Sequence, residues 1–328
     1  MILHRKMVGV SAAVAMLFAS LLPYAAAATT IQPPAFDYVV NPGATMKDII
    51  KIYNETPGDI SLVPELKNFA AKDESSGTPW LYPPDEKREG GHELAPWMIV
   101  DSKIIKIAPK MWGSFEFTVN IPKDAEPGGY FGAVLFREGD GKVGEGVGAT
   151  GGPASLIMLK VNGETKEGFN ITDFKSKSAM YTSLPSELIL RTNNTGNVQQ
   201  KPTGNIYIKN IFGRQVASIP VNPLGGNVLP GTARVFNSIW QKSEPVAGAS
   251  EFKKELSNFA LGPYTASLVL KYGSKGMIAT AETSFFVFPW MVCFMYLIIF
   301  LLIILLLIIA MKKYNASVIR KYKQGGQK

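Results

Sequence analysis

The sequence predicts an all-β exported body of two tandem immunoglobulin-like β-sandwich domains, followed by a single transmembrane α-helix. Three observations carry this: a leader-like N-terminus, a charge-free apolar run near the C-terminus, and, between them, short alternating or β-branched runs separated by Gly, Pro and Asn.

The chain opens with His4, Arg5 and Lys6, continues with an apolar run from Met7 to Leu22, and reaches Ala25-Ala26-Ala27-Ala28. A positive start, an apolar stretch too short to span a bilayer and a small-residue cleavage site are the three parts of a secretory signal peptide. Positions 1–28 are therefore read as a leader, with maturation expected near Ala28/Thr29.

The second observation lies at positions 290–311. Met291 to Met311 contains no charged residue, and at about 1.5 Å per residue this run covers roughly 31 Å, close to the roughly 30 Å of a hydrocarbon core. Phe288, Trp290 and Tyr314 flank it where amphipathic rings prefer the headgroup level. The tail, 312–328, carries Lys312, Lys313, Arg320, Lys321, Lys323 and Lys328 and no acid. The positive-inside rule then leaves the tail cytoplasmic and the body outside.

The formal charge of +8 invites a nucleic-acid reading until the charges are located. All 26 acidic residues and 26 of the 34 Lys and Arg lie between Thr29 and Trp290, so the body is formally neutral. The excess belongs to the two ends, as topology signal and contact with anionic lipid, and no nucleic-acid partner is expected. The single cysteine, Cys293, falls in the apolar run, which leaves the body without a disulfide or a thiol nucleophile.

Within the body, strand-like runs include 49–53, 104–107, 115–119, 130–136, 156–161, 187–191, 205–208, 264–270 and 285–288. Strands at this spacing argue for sandwiches, and about 100 residues suffice for one. The polar segment Asn162 to Gly168 marks a boundary, giving domain one at 29–162 and domain two at 168–289. Two stretches read as insertions: 71–93, a Pro-, Gly- and charge-rich loop, and 137–153, a glycine-dense hairpin connection. A short helical turn is expected within 241–256.

Some residues are specific enough to suggest a family. Domain one carries Tyr38-Val39-Val40-Asn41-Pro42-Gly43, Ile50-Lys51-Ile52-Tyr53-Asn54-Glu55-Thr56, Ala95-Pro96-Trp97, Ile107-Ala108-Pro109 and the run from Val119 to Val134 through Pro127-Gly128-Gly129. Domain two carries Thr192-Asn193-Asn194-Thr195-Gly196-Asn197, Val228-Leu229-Pro230-Gly231, Arg234, Phe236, Trp240 and Gly262-Pro263-Tyr264. This order resembles the WxL-interacting surface proteins of bacteria. The resemblance implies a peptidoglycan-binding first domain, a host-binding second domain and a C-terminal anchor, with partners among cell-wall glycan or other surface proteins. The insertions 71–93 and 137–153 depart from that pattern.

Catalytic signals are sparse. With His4 in the leader, His92 is the only histidine of the body, so no polyhistidine site can be assembled, and its place among Glu86, Lys87, Arg88, Glu89 and Glu93 reads as a solvated charged loop instead of a catalytic base. Gly146 to Gly151 matches a dinucleotide-loop spacing, but Gly152-Pro153 follows where a helix would have to start. Adjacent acids, Asp73 with Glu74 and Asp85 with Glu86, leave a glycosidase open as an unfavoured alternative. No cofactor, metal or catalytic residue is assigned. The candidate binding residues are Trp80, Tyr82 and His92 of the 71–93 stretch, with Trp80 either stacking on a partner or folding back onto domain one. Trp97, Trp112 and Trp240 are expected in or beside cores. The expected function is a non-enzymatic surface binding protein; the alternative is an assembly module acting by β-strand pairing.

Overall fold

The computed structural model describes residues 29–75, 77–88, 93–139, 152–244 and 248–325. The expected leader, His92 and the glycine-dense tip at 140–151 lie outside the described residues. The first ten strands are β1 Thr29–Gln32, β2 Ala35–Val40, β3 Thr45–Asn54, β4 Ile60–Ala71, β5 Pro79–Tyr82, β6 Met98–Val100, β7 Ile105–Ile107, β8 Trp112–Asn120, β9 Gly128–Glu138 and β10 Ala154–Val161. They form a four-stranded sheet, β1-β3-β8-β6, facing a sheet in the order β2-β10-β9-β4-β5, with β7 also on β4. Alternation decides what faces inward. On β8 it turns Phe115, Phe117 and Val119 onto Ile50 and Ile52 of β3 and onto Phe136, Ile157 and Leu159 of the opposite sheet. Trp112 starts the outward phase of β8, lies 47% exposed and rests on Tyr53, so the expectation of a core position fails for it. Trp97 packs on the core beside Tyr130, and Trp240 is buried.

After a connection over 162–168, the chain builds β11 Phe169–Ser176, β12 Met180–Tyr181, β13 Ser186–Asn194, β14 Thr203–Asn210, β15 Gln215–Val221, β16 Ala233–Trp240, β17 Gly262–Tyr272 and β18 Met277–Val287. These make a three-stranded sheet, β11-β13-β16, against a five-stranded one, β12-β18-β17-β14-β15. Leu188, Leu190, Ile206, Leu268 and Trp240 are among the residues of the second core. Each sheet pair closes a loop with the same device. Asn54 at the end of β3 donates to the carbonyls of Gly58 and Ile107, and Asn194 at the end of β13 donates to those of Val198 and Val228. Both side chains are fully buried, so each carboxamide satisfies carbonyls that water cannot reach.

β9 is buried along nearly its whole length on both faces. Tyr130, Val134 and Phe136 point into the first core, while Phe131 and Ala133 point the other way and join Phe69, Met158 and Leu229 in a smaller cluster. Leu229 comes from the connection between β15 and β16, so this cluster is where the two sheet pairs meet. The 71–93 stretch is only partly a loop. Its residues 79–82 form β5, which pairs with Asn68 to Ala71 and covers that edge of β4.

Beyond β18, Phe288 and Pro289 lead into a helix from Trp290 to Gly325, which is long and apolar enough to cross a membrane. It continues through the described part of the basic tail. A short helix, Glu251–Ser257, falls at the end of the stretch where a turn was expected and is capped by the Ser250 hydroxyl. Its Glu255 is buried and accepts hydrogen bonds from the N–H groups of Met291 and Val292 at 3.0 and 3.1 Å. A carboxylate there satisfies two donors that a helix start leaves free and complements the positive end of the helix dipole.

Candidate functional site between the two sheet pairs

The junction of the sheet pairs encloses a cavity of about 380 Å³. One wall is apolar, from Phe69 on β4, Met158 on β10 and Leu229. The lining also carries Arg234 at the start of β16, which donates through Nη1 to the Asn227 carbonyl at 2.6 Å and lies over the Phe236 ring. Arg234 is half-buried and, among the described residues, has no carboxylate partner; burial pulls its pKa down from the usual guanidinium value. A guanidinium remains cationic under such a shift. Beside it, the Oδ1 of Asn227 is buried without a hydrogen-bond partner, while the amide nitrogen rests on the Met158 sulfur. Buried polar atoms without partners are uncommon enough to call for a cause, and a ligand would supply one.

The insertion forms the roof. Asp73 accepts from the backbone N–H and hydroxyl of Ser75, an Asx turn that folds the chain over the cavity. Gly77 follows with φ +62°, packed so closely on Arg234 that a Cβ would overlap the guanidinium. Glu74 then reaches across to the C-terminal pair. Its carboxylate takes two hydrogen bonds from Arg191 on β13, at 2.6 and 2.7 Å, and its carbonyl accepts from the N–H of Val235 on β16. The Arg191 guanidinium holds the Glu74 carboxyl below the usual carboxylate range. A second clasp closes the opposite side: Glu167 accepts from Ser274 and from Lys160. Burial pushes the Glu167 carboxyl up, but these hydrogen bonds outweigh it and leave it below the ordinary value.

Trp80 and Tyr82 sit side by side on one face of β5, with ring centroids 5.6 Å apart. Trp80 is 37% exposed, yet Arg88 lies 3.7 Å from its ring centroid. Tyr82 is buried, and burial, reinforced by Glu93, pushes its phenol up to about 12. The structure therefore brings the two aromatics together and closes Tyr82 off, whereas the residues of the insertion that line the cavity, among them Asp73, Gly77, Thr78 and Pro79, precede them in the chain. Sequence reading missed the cavity. Arg234 stood out only as a marker of the resemblance, and no spacing rule joins it to Asn227, Met158 and Gly77.

Among the described residues no group of three or more His, Cys, Asp and Glu is placed to hold a metal ion. The carboxylates that line the cavity are engaged, Asp37 by Gln199 and Asp73 by Ser75. What this arrangement can do is bind. It offers a cation, an unpaired amide oxygen and an apolar wall within one cavity.

No protein-family model and no curated protein matches the chain. Solved structures do. A structure from a chaperone–tip adhesin complex of CFA/I fimbriae biogenesis is 11% identical, covers 78% of this chain and 99% of its own, and has a TM-score of 0.36. The class 5 fimbrial chaperone CfaA gives 11%, 78%, 98% and 0.37, and the CupB2 chaperone of Pseudomonas aeruginosa 9%, 77%, 98% and 0.35.

Proposed function

We propose that this chain is a non-enzymatic, membrane-anchored surface binding protein in which two tandem immunoglobulin-like domains hold a protein partner at the cavity between them. Arg234 carries the reading. A half-buried guanidinium without a carboxylate partner among the described residues, beside an unpaired amide oxygen and an apolar wall, suits a peptide segment that presents a carboxylate or backbone carbonyl next to an aliphatic side chain. A protein is preferred to a cell-wall glycan at this site because the nearest candidate sugar platform, Trp80 of the insertion, is covered by Arg88. In this reading the leader is removed, the body is extracytoplasmic and the tail cytoplasmic, in keeping with the resemblance to WxL-interacting surface proteins.

The test is capture of partners from cell-surface extracts by the full chain in nanodiscs, comparing wild type with Arg234→Gln and Trp80→Ala. Loss of a captured protein at least about tenfold with Arg234→Gln alone, equivalent to about 1.4 kcal/mol, supports the reading. Equal capture by wild type and Arg234→Gln would refute it, and capture lost only with Trp80→Ala would return the site to the insertion.

One observation favours an assembly module that works by strand pairing. β15 is an edge strand whose outer side has no strand partner among the described residues. The edges of β4 and, at Val235, β16 are instead covered by the insertion. Competition by a peptide that pairs with β15 distinguishes the two readings, because cavity binding would be unaffected.

A further inference from the structure

The end of the C-terminal sheet pair from which the long helix departs carries an unusual set of uncovered apolar side chains. Phe212 is 89% exposed at the tip of the β14–β15 hairpin, with Ile211 exposed beside it; Leu256, Phe259, Leu261 and Phe288 are also exposed. They are scattered in sequence, but the strand register places them at one level. Gly262 pairs with Val287, Tyr264 with Phe285, and Asn210 with Tyr264, so the hairpin tip at 211–213 stands level with the last residue of β18. It lies two strands away from β18, roughly 10 Å to the side at the usual strand spacing. Leu256, Phe259 and Leu261 follow Glu255, whose carboxylate grips the N–H groups of Met291 and Val292. They therefore surround the start of the helix.

Only Phe288 and Pro289 separate β18 from the helix. The apolar run from Trp290 to Met311 amounts to about 33 Å of helix, close to the roughly 30 Å of a hydrocarbon core. No stalk is left over. If the helix spans, this end of the sheet pair must rest at the headgroup level, and Glu255 holds the helix start against it.

We propose that these side chains form an apolar collar that inserts into the outer leaflet of a phospholipid bilayer around the transmembrane helix, fixing the body upright on the membrane instead of letting it pivot. The proposal rests on the membrane-anchored reading above. Lipid is the occupant because the collar is continuous with the span, and Arg214 and Lys253 beside it can reach headgroup phosphates. A collar of this kind keeps the cavity between the sheet pairs at a set height above the bilayer, since it lies at the far end of the C-terminal pair.

The test uses the full chain with Cys293→Ser, reconstituted in vesicles of phosphatidylethanolamine and phosphatidylglycerol containing lipid doxyl-labelled either near the headgroup, to quench the probes at 212, 261 and 224, or near the end of the acyl chain, to quench the probe at 302. An environment-sensitive fluorophore is placed in turn by Phe212→Cys, Leu261→Cys, Leu224→Cys and Leu302→Cys. Leu224 is the control, equally apolar and 99% exposed but beyond the opposite end of β15. The collar requires the probes at 212 and 261 to be quenched at least about twofold more than the probe at 224. Quenching at 302 with 212 and 261 matching 224 overturns the collar and leaves the span standing. Absence of quenching at 302 as well overturns the span and the collar with it. All four positions are exposed, so labelling leaves the cores intact.

Discussion

At its far end the C-terminal sheet pair meets the N-terminal pair through the small apolar cluster of Phe69, Phe131, Met158 and Leu229 and through clasps of charge and hydrogen bonding around a cavity: Glu74 with Arg191, Glu167 with Lys160 and Ser274, Asn197 with Pro127. At its near end it meets the helix through one buried carboxylate, Glu255, and a rim of exposed apolar side chains. In the first attachment the Glu74–Arg191 clasp exchanges protein contacts for water at modest cost, because both side chains are solvent-accessible. The second cannot, because removing Glu255 strands two N–H donors in a buried place. The contrast suggests a body that can adjust where it binds and is fixed where it is anchored.

The strongest way to break this contrast is to damage one core and ask whether the other responds. Phe136 and Leu268 are buried in separate cores. Phe136→Ala is expected to cost about 3–5 kcal/mol and Leu268→Ala about 2–5 kcal/mol. With only the small Phe131–Leu229 cluster and the clasps between them, Phe136→Ala should lower protection against hydrogen exchange across β3, β8 and β9 while leaving β14, β17 and β18 unchanged. Equal loss in both halves would mean that the junction transmits stability and is not an adjustable contact.

The helix attachment comes next. Glu255→Ala is expected to destabilise the packing of the short helix on the long one by about 1–3 kcal/mol, read as faster exchange over 250–262 in nanodiscs. Glu255→Gln keeps an acceptor and should lose less. Equal effects from the two would assign the contact to charge alone.

A smaller change sharpens the cavity end. Gly77→Ala forces a Cβ into a left-handed turn and against Arg234, and the backbone penalty alone is about 1 kcal/mol. Partner capture should fall more than thermal stability does, because the displaced guanidinium belongs to the cavity. An unchanged capture level would remove Arg234 from the binding surface.

How much of this was legible in the sequence follows the same division. The alternation in 115–119 and 264–270 is local, and both segments lie within strands β8 and β17 of the structure. The longest strand, β4, went unread because Pro64 and Asn68 interrupt its pattern. Pro64 is tolerated because on one side β7 pairs only with 60–62 and β5 only with 68–71, leaving 63–67 uncovered there. Asn68 is tolerated because its carboxamide accepts from the Ala95 N–H and reaches the Pro83 and Pro84 carbonyls. Neither circumstance exists until distant segments have packed. The cavity is hidden for the same reason, since its groups come from 69 to 79, 158 and 227 to 234. Exposed aromatics in a loop were a visible signal, but β5 and Arg88 use them internally.

The smallest expected effect concerns the roof and its dependence on pH. Arg191 depresses the Glu74 carboxyl, so the unfolded or undocked chain takes up its proton first as pH falls. The stabilisation from the clasp is therefore complete above the ordinary carboxyl value of 4.5 and is lost as pH drops through the lower value of the docked state. Because the pair is exposed, this loss should loosen the roof without unfolding either core. The Val235 N–H, which donates to the Glu74 carbonyl, reports it. Exchange over 233–240 should be faster in Glu74→Gln than in wild type at neutral pH, and the two should converge once the acid has removed the wild-type charge. A difference that persisted in acid would show that the Val235 hydrogen bond depends on the shape of the Asx turn and owes nothing to the ion pair. The adjustable end of the molecule would then be set by backbone geometry, and the chemical contrast between the two attachments would narrow to Glu255 alone.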